Sequence, residues 1–218
     1  MEKVKKIGVL GSGSWGTAMI KMLTENSNNI LWYVRDNIQA EQIIKTKRNP
    51  KYLKELEINV DKVFISSDIK EIIIKSDIII IAIPSPYIHE NLIEYITILK
   101  NKIIFSGSKG VIPESHLVIS EHFNKFFDIS YENLGILSGP THAEEIAKNK
   151  LSYLTIGSSN ENICVFLSNV LSSSYIKTSI SKDVVGIEYA AALKNIYSIL
   201  VGISFGLGYG DNFISVLI

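Results

Sequence analysis

The chain has 218 residues, 46% of them hydrophobic and 20% charged, which is enough apolar material for a folded core and excludes a disordered chain. Its 22 basic and 22 acidic residues cancel, so the charge gives no support for a nucleic-acid partner or for an acidic membrane surface. The single cysteine, Cys164, excludes an intramolecular disulfide and a cysteine-pair metal site. We therefore expect a cytoplasmic protein with no bound metal and no membrane insertion.

Short aliphatic runs alternate along the chain with longer segments of helical period, a pattern typical of βαβ units. It predicts an α/β fold with a Rossmann-type, doubly wound and mainly parallel sheet. The run from Ile78 to Ile81 does not alternate with polar residues, as expected of a strand buried on both faces. The predicted strands are residues 6–10, 30–34, 63–66, 77–83, 103–105, 135–138, 153–157 and 175–178. The predicted helices between them are residues 15–25, 86–99, 115–126, 143–148 and 160–171.

The pattern changes near residue 182. Residues 183–205 carry apolar side chains at helical spacing and predict one long helix, and a further helix is predicted over residues 212–218. We therefore expect a Rossmann domain at residues 1–181 and the beginning of a helical substrate domain at 182–218. Because the last helix has barely two turns, we expect this second domain to be truncated. The long helix is apolar on most of its circumference, so we expect the chain made alone to self-associate or to be unstable.

Three glycines form a G-x-G-x-x-G pattern between the first predicted strand and the first predicted helix. In dinucleotide-binding folds, the equivalent of Gly11 makes a tight turn, Gly13 lets the backbone approach a pyrophosphate, and Gly16 lets the helix pack against the strand. The helix N-terminus supplies N–H groups and a partial positive charge. A P-loop is excluded because Thr17 stands where such a loop needs lysine. A plain turn is the competing interpretation, which the position of the pattern disfavours.

The second predicted strand is followed by Arg35 and Asp36, at the point where such folds select their cofactor. An acid accepts from the ribose 2′-OH, whereas an arginine accommodates a 2′-phosphate. Arg35 is one of only two arginines in the chain, which favours NADPH, or the use of both NADPH and NADH. A solvated strand end would leave this preference unset.

Six blocks, in order from Ile7 to Asn212, resemble the soluble bacterial type of NAD(P)-dependent glycerol-3-phosphate dehydrogenases. The blocks are GSGSWGTA at 11–18, NPKYL at 49–53, AIPS at 82–85, SKG at 108–110, SGPTHAEE at 138–145, and GIEYAAALKN at 186–195 followed by GLGYGDN at 206–212. The resemblance implies reduction of dihydroxyacetone phosphate to sn-glycerol 3-phosphate, which supplies glycerophospholipid synthesis.

The resemblance also implies roles for individual residues. Lys194 matches the catalytic acid/base, and Lys109 would lie between cofactor and substrate as a second catalytic residue. Cofactor binding is implied for Gly11, Gly13, Ser14, Trp15, Gly16, Arg35, Asp36, Lys109 and Ala143. Substrate binding is implied for Lys109, Gly139, Thr141, Lys194 and Asn195.

A lysine donates a proton to an alkoxide near neutral pH only if its pKa falls from about 10.4. Burial and a neighbouring ammonium group both lower the pKa, and we expect Lys109 and Lys194 to converge for this reason. His142 starts an H-x-E pattern, but the chain has no P-C-x-x-C to complete a zinc site. The other histidines lack ligand spacing and are interpreted as surface or packing residues, and Cys164 as a small core residue.

The sequence departs from the family at its C-terminus, where members continue with helices that carry an Asp and a Ser/Arg/Asn phosphate-binding group. Two alternatives therefore stay open: a related dehydrogenase for another small phosphorylated or hydroxy-acid substrate, and a dinucleotide-binding remnant without turnover. We expect the chain alone to turn over slowly. A homodimer is left open, because the sequence does not reveal the oligomeric state.

Overall fold

The fold is built on one large sheet, seen here in a computed structural model that describes residues 5–217. The strands are β1 (Ile7–Leu10), β2 (Ile30–Tyr33), β3 (Val63–Ser66), β4 (Ile78–Ile81), β5 (Ile103–Ser106), β6 (Val111–Ile112), β7 (Leu117–Val118), β8 (Leu134–Ser138), β9 (Ser152–Ser158) and β10 (Ile176–Ser181). The helices are α1 (Ser14–Asn26), α2 (Asn37–Thr46), α3 (Ile69–Lys75), α4 (Ile88–Leu92), α5 (Ile96–Leu99), α6 (Ile119–Phe127), α7 (Ala143–Ala147), α8 (Glu161–Leu171), α9 (Val184–Gly206) and α10 (Asp211–Leu217).

Eight strands form the sheet in the order β10-β9-β8-β5-β4-β1-β2-β3. All neighbours pair in parallel except β8 and β9, which are antiparallel. The chain runs outward from β1 through β2 to β3 and then returns to place β4 on the other side of β1. A crevice therefore opens between the carboxyl ends of β1 and β4, the topological switch point where doubly wound sheets bind ligands.

Helices cover both faces of the sheet, which explains the unbroken aliphatic run of β4. Ile78 and Ile80 enter one hydrophobic cluster with Met19 of α1, whereas Ile79 and Ile81 enter the cluster on the other face. All four isoleucines are fully buried. The predicted fold class, a mainly parallel Rossmann-type sheet, is confirmed by this arrangement.

Every predicted strand is present, with its ends shifted by a few residues at most. Two helices, α2 and α3, and the β6–β7 hairpin were not predicted. The hydrophobic periodicity of the sequence does not predict α2, because Ile38 and Ile44 are exposed and the buried side chains of this helix include the polar Gln39. The helix predicted over 86–99 is wrong as one element: it is divided into α4, α5 and two short 3-10 turns, Ser85–Tyr87 and Ile93–Tyr95.

Helix α6 begins only at Ile119, later than predicted, because the two preceding residues pair with Val111 and Ile112 in the hairpin. The predicted core position of Cys164 is confirmed, since its side chain is fully buried. Among the histidines, His122 packs inside the fold, and its Nε2 lies 2.9 Å from His89 Nδ1.

The long predicted helix is present as α9, which starts three residues after β10 ends. Asp183 caps it by accepting from the Gly186 N–H at 2.8 Å. Its first turns are covered, with Val184 and Glu188 buried there, and Ser204 is buried near its other end, whereas most residues between are exposed. By length and composition alone α9 could cross a membrane, a property that core helices of soluble proteins share. Helix α10 follows as predicted, and Ile218, the predicted last residue of that helix, lies outside the described residues.

Candidate active site

The glycine-rich turn lies between β1 and α1 at the switch point. Gly11 has a φ of +123°, and a Cβ there would meet the carbonyl oxygen of Ala82 after β4. A Cβ on Gly16 would clash with the Gly11 carbonyl, so this glycine allows α1 to pack close to the turn. A Cβ on Gly13 would meet nothing within 4 Å. The turn therefore leaves open space above Gly13, where a pyrophosphate can approach the backbone.

A first cavity of about 630 Å³ opens beside this turn at the carboxyl ends of β1, β2 and β4. Six residues predicted to bind the cofactor line it: Gly11, Gly13, Ser14, Trp15, Arg35 and Asp36. Gly16 does not, in keeping with its packing position. The cavity is also lined by side chains for which no role was predicted, namely Gln39, Lys51, Tyr52, Tyr87 and Asn91.

Asp36 is already engaged by the protein. Its Oδ1 accepts from the N–H groups of Ile38 and Gln39 at 3.0 and 3.3 Å and so caps α2. Its Oδ2 lies 2.6 Å from Lys51 Nζ. The hydrogen bond from Lys51, followed by the backbone bonds, lowers the pKa of Asp36. This end of the cavity therefore has two cations, Arg35 and Lys51. Its one carboxylate, that of Asp36, is paired with Lys51 and hydrogen-bonded to the start of α2.

A second cavity of about 480 Å³ continues from the first, and the two share Ser14, Trp15, Ala82 and Pro84 as lining residues. The second cavity brings together four residues predicted for the nicotinamide and substrate: Lys109, Gly139, Thr141 and Ala143. His142 also lines it. The two cavities therefore adjoin each other across the switch point, and together they are called the cleft.

Lys109 follows β5 and lines the second cavity, although the residue as a whole is exposed. Burial, and then the nearby charge of Lys194, lower the pKa of Lys109. Lys194 and Asn195 lie on α9, and neither residue lines either cavity. Both are exposed in the part of the chain that the structure describes. The structure thus brings Lys194 close enough to influence Lys109, but the described residues do not supply the burial that the sequence led us to expect for Lys194.

The cleft suits a dinucleotide on two structural grounds besides its shape. The space above Gly13 is open, and Trp15, which lines both cavities, has an indole Nε1 that is buried without a hydrogen-bond partner among residues 5–217. A buried donor of this kind is costly unless a ligand or water accepts from it. Within the same residues, no group of three or more His, Cys, Asp or Glu side chains is arranged to hold a metal ion.

The fold and the cleft together define the class: a Rossmann-type protein with a cleft at its switch point that suits a dinucleotide. Two family models match the chain, the NAD-dependent glycerol-3-phosphate dehydrogenase N-terminus over residues 6–164 and the C-terminus over residues 183–218. The chain belongs to the NAD-dependent glycerol-3-phosphate dehydrogenase family, a family of NAD(P)-dependent oxidoreductases.

Individual relatives agree with this assignment. The chain is 32% identical over 209 residues to a glycerol-3-phosphate dehydrogenase (NAD(P)+) of Macrococcus caseolyticus, covering 95% of this chain and 63% of that protein. The corresponding enzyme of Oceanobacillus iheyensis is 35% identical, with 99% and 62% covered. The chain therefore spans somewhat less than two thirds of the length of these relatives.

Solved structures show the same fold. Glycerol-3-phosphate dehydrogenase from Plasmodium falciparum superposes with a TM-score of 0.87 at 27% identity, covering 97% of this chain and 62% of that one. The Coxiella burnetii enzyme gives a TM-score of 0.81 at 25% identity, with 98% and 65% covered.

Proposed function

We propose that this chain binds NADPH or NADH along the cleft and contributes to the reduction of dihydroxyacetone phosphate to sn-glycerol 3-phosphate. The observation that carries the proposal is the adjacency of the two cavities, with the cations Arg35 and Lys51 in one and Lys109 in the other. The names of the relatives supply the substrate. The product would serve glycerophospholipid synthesis, and the reducing cytoplasm suits the free, buried thiol of Cys164.

The cofactor end of the cleft is built to hold phosphates. The N–H groups of the first turn of α1 have no partner within the helix and carry its partial positive charge. Arg35 and Lys51 supply two further charges where an adenosine phosphate would lie. When bound, the nicotinamide cofactor supplies the hydride that reduces the ketone.

The substrate end is built to receive an anion and to manage a proton. Lys109 and the nearby Lys194 attract a phosphorylated substrate, and burial together with the charge of Lys194 makes loss of a proton from Lys109 easier. We assign proton donation to the developing alkoxide to Lys194, and to Lys109 the stabilisation of its negative charge. The exposure of Lys194 favours slow turnover for the 218-residue chain by itself.

The test is a fluorescence titration with NADPH and with NADH, followed by assay of glycerol 3-phosphate formed from dihydroxyacetone phosphate. We expect saturable binding, and a loss of activity of at least about a hundredfold in Lys109→Met. Lys100→Met is the matched control, because Lys100 pairs with Asp128 on the surface at 2.8 Å. A folded chain that shows no saturable binding of either cofactor at millimolar concentration would contradict the proposal.

A further inference from the structure

Asn49 is a fully buried polar side chain in the loop after α2. Its Nδ2 donates to the Ser12 carbonyl oxygen at 3.0 Å and to Thr17 Oγ1 at 2.8 Å. Ser12 lies within the glycine-rich turn and Thr17 in the first turns of α1. The carboxamide of Asn49 is therefore hydrogen-bonded to both the glycine-rich turn and α1.

The oxygen of the same carboxamide is also fully used. Asn49 Oδ1 accepts from Gln39 Nε2 at 2.9 Å and from the main-chain N–H groups of Lys51 and Tyr52 at 3.0 and 3.3 Å. The orientation of the amide is unambiguous, because main-chain N–H groups only donate and the Ser12 carbonyl only accepts. Asn49 thus joins the glycine-rich turn to the loop that places Lys51 and Tyr52 in the first cavity.

The bond to Ser12 has a consequence for the turn. The Ser12 carbonyl and the Gly13 N–H belong to one planar trans peptide group, so they point in opposite directions. With the carbonyl held toward Asn49, the Gly13 N–H points away from it, on the side where Gly13 and Ser14 line the first cavity.

Thr17 extends the same constraint by one peptide group. Its Oγ1 accepts from Asn49 and donates to the Gly13 carbonyl oxygen at 2.9 Å. The Gly13 carbonyl shares its peptide plane with the Ser14 N–H, the first N–H of α1, which has no acceptor inside the helix. Both N–H groups are therefore oriented before any ligand arrives.

We propose that Asn49 is a positioning residue for the dinucleotide: it holds the glycine-rich turn so that the N–H groups of Gly13 and Ser14 are preset for the pyrophosphate. The inference rests on the proposed cofactor binding and adds a residue outside the cavity lining. Because NADPH and NADH share the pyrophosphate, loss of this constraint weakens both cofactors. Preorganisation of this kind lowers the cost of ordering the site on binding.

The experiment measures the dissociation constants of NADPH, NADH and adenosine 2′-phosphate for the full chain and its variants. Asn49→Leu keeps the number and branching of the side-chain heavy atoms but removes all five hydrogen bonds. We expect the Kd of both dinucleotides to rise about tenfold or more. The matched control is Asn26→Leu, because Asn26 Nδ2 also donates to two carbonyls, those of Val170 and Ser172, at the far end of α1. Its Kd values should stay within about twofold of the parent.

Thr17→Val isolates the turn, because it leaves in place the bond that Asn49 donates to Ser12 and the two that it accepts from the N–H groups of Lys51 and Tyr52. We expect an equal, smaller loss for NADPH and NADH, with no change for adenosine 2′-phosphate, which lacks the pyrophosphate. The double variant should lose less than the product of the single losses, because both changes act on one turn.

Thermal unfolding of each variant checks that it is folded. If Asn49→Leu does not fold, the dinucleotide affinity of Thr17→Val tests the inference in its place. A folded Asn49→Leu that binds both dinucleotides as tightly as the parent chain would overturn the inference. If only Thr17→Val folds, parent-like affinity in that variant would overturn it, and in both cases the proposed function would stand. Absence of binding by the parent chain would remove the proposed function itself.

Discussion

Arg35 is one of two cations at the adenosine end of the cleft, and its neighbour Asp36 is held by α2 and by Lys51. A free carboxylate at this position would repel a 2′-phosphate, whereas a carboxylate with two main-chain hydrogen bonds and an ammonium partner repels it less. The residue-level geometry therefore supports the use of NADPH that Arg35 led us to expect.

Arg35→Asp should weaken NADPH more than NADH. The substitution removes a charge-assisted contact to the 2′-phosphate and adds a repulsive charge, so we expect the Kd of NADPH to rise about 10- to 100-fold more than that of NADH. Paired fluorescence titrations measure this ratio. Arg48→Asp is the control, since Arg48 is the other arginine and lies 3.8 Å from the exposed Glu55 rather than in the cavity lining. Equal losses for the two cofactors would refute the role given to Arg35.

At the scale of elements, a buried carboxyl connects α9 to α6. Glu188 of α9 is 4% exposed, and each of its oxygens lies 3.2 Å from the Ser120 main-chain nitrogen in the first turn of α6, while Ser120 Oγ donates to Oε2. This contact satisfies an N–H that the helix itself cannot pair. Burial raises the pKa of Glu188 to about 7, the bonds from Ser120 oppose the rise, and the charge of Glu121 adds to it.

This pKa predicts a pH dependence of stability. Because the folded-state value of about 7 exceeds the ordinary 4.5, the protonated form stabilises the fold below pH 4.5, and that stabilisation is lost as the pH rises through 7. The loss amounts to about 3 kcal/mol of unfolding free energy. Glu188→Gln should remove it, so denaturant unfolding of parent and variant should diverge progressively across this range.

The contribution of Glu188 must be separated from those of the other titratable groups. Burial lowers the pKa of His122 to about 4, so its stabilisation is present above 6.5 and is lost as the pH falls through 4. This opposite contribution cancels in the difference between parent and Glu188→Gln. Glu132→Gln, at an exposed position, controls for the loss of one carboxyl group. A pH-independent difference between parent and Glu188→Gln would show that the buried carboxyl does not titrate in this range.

In the molecule as a whole, the outer face of α9 exposes many apolar side chains to solvent. Ile199 is 62% exposed, Ile203 54% and Phe205 76%, and Leu200 and Tyr197 beside them are exposed as well. Exposed apolar patches of this kind mark interaction surfaces or cause association.

We therefore predict that the 218-residue chain by itself self-associates with increasing concentration. Sedimentation velocity at several concentrations measures this, and Ile196→Lys should reduce the association. Ile74→Lys of α3 is the matched control, because the two isoleucines are equally exposed, at 53% and 52%. A monodisperse monomer at every concentration would contradict the prediction.

The strands and the cofactor turn could be predicted from the sequence because their causes are local. Four consecutive isoleucines at 78–81 require burial on both faces of a sheet, and glycines at 11 and 16 are needed wherever a helix follows a strand this closely. The resemblance to known enzymes added Lys109, Gly139, Thr141 and Ala143, which the structure places in one cavity.

The polar contacts that support the cleft and join the helices were not predictable from the sequence, because they depend on how distant segments pack. Asn49 acts on Ser12, 37 positions earlier, and Glu188 on Ser120, 68 positions earlier, so neither pairing has a signature in local periodicity. The partnership of Lys51 with Asp36 likewise depends on the return of the chain after α2. Hydrophobic pattern and turn chemistry act between neighbours in sequence, whereas a hydrogen bond or an ion pair forms between whichever groups the packed elements bring together.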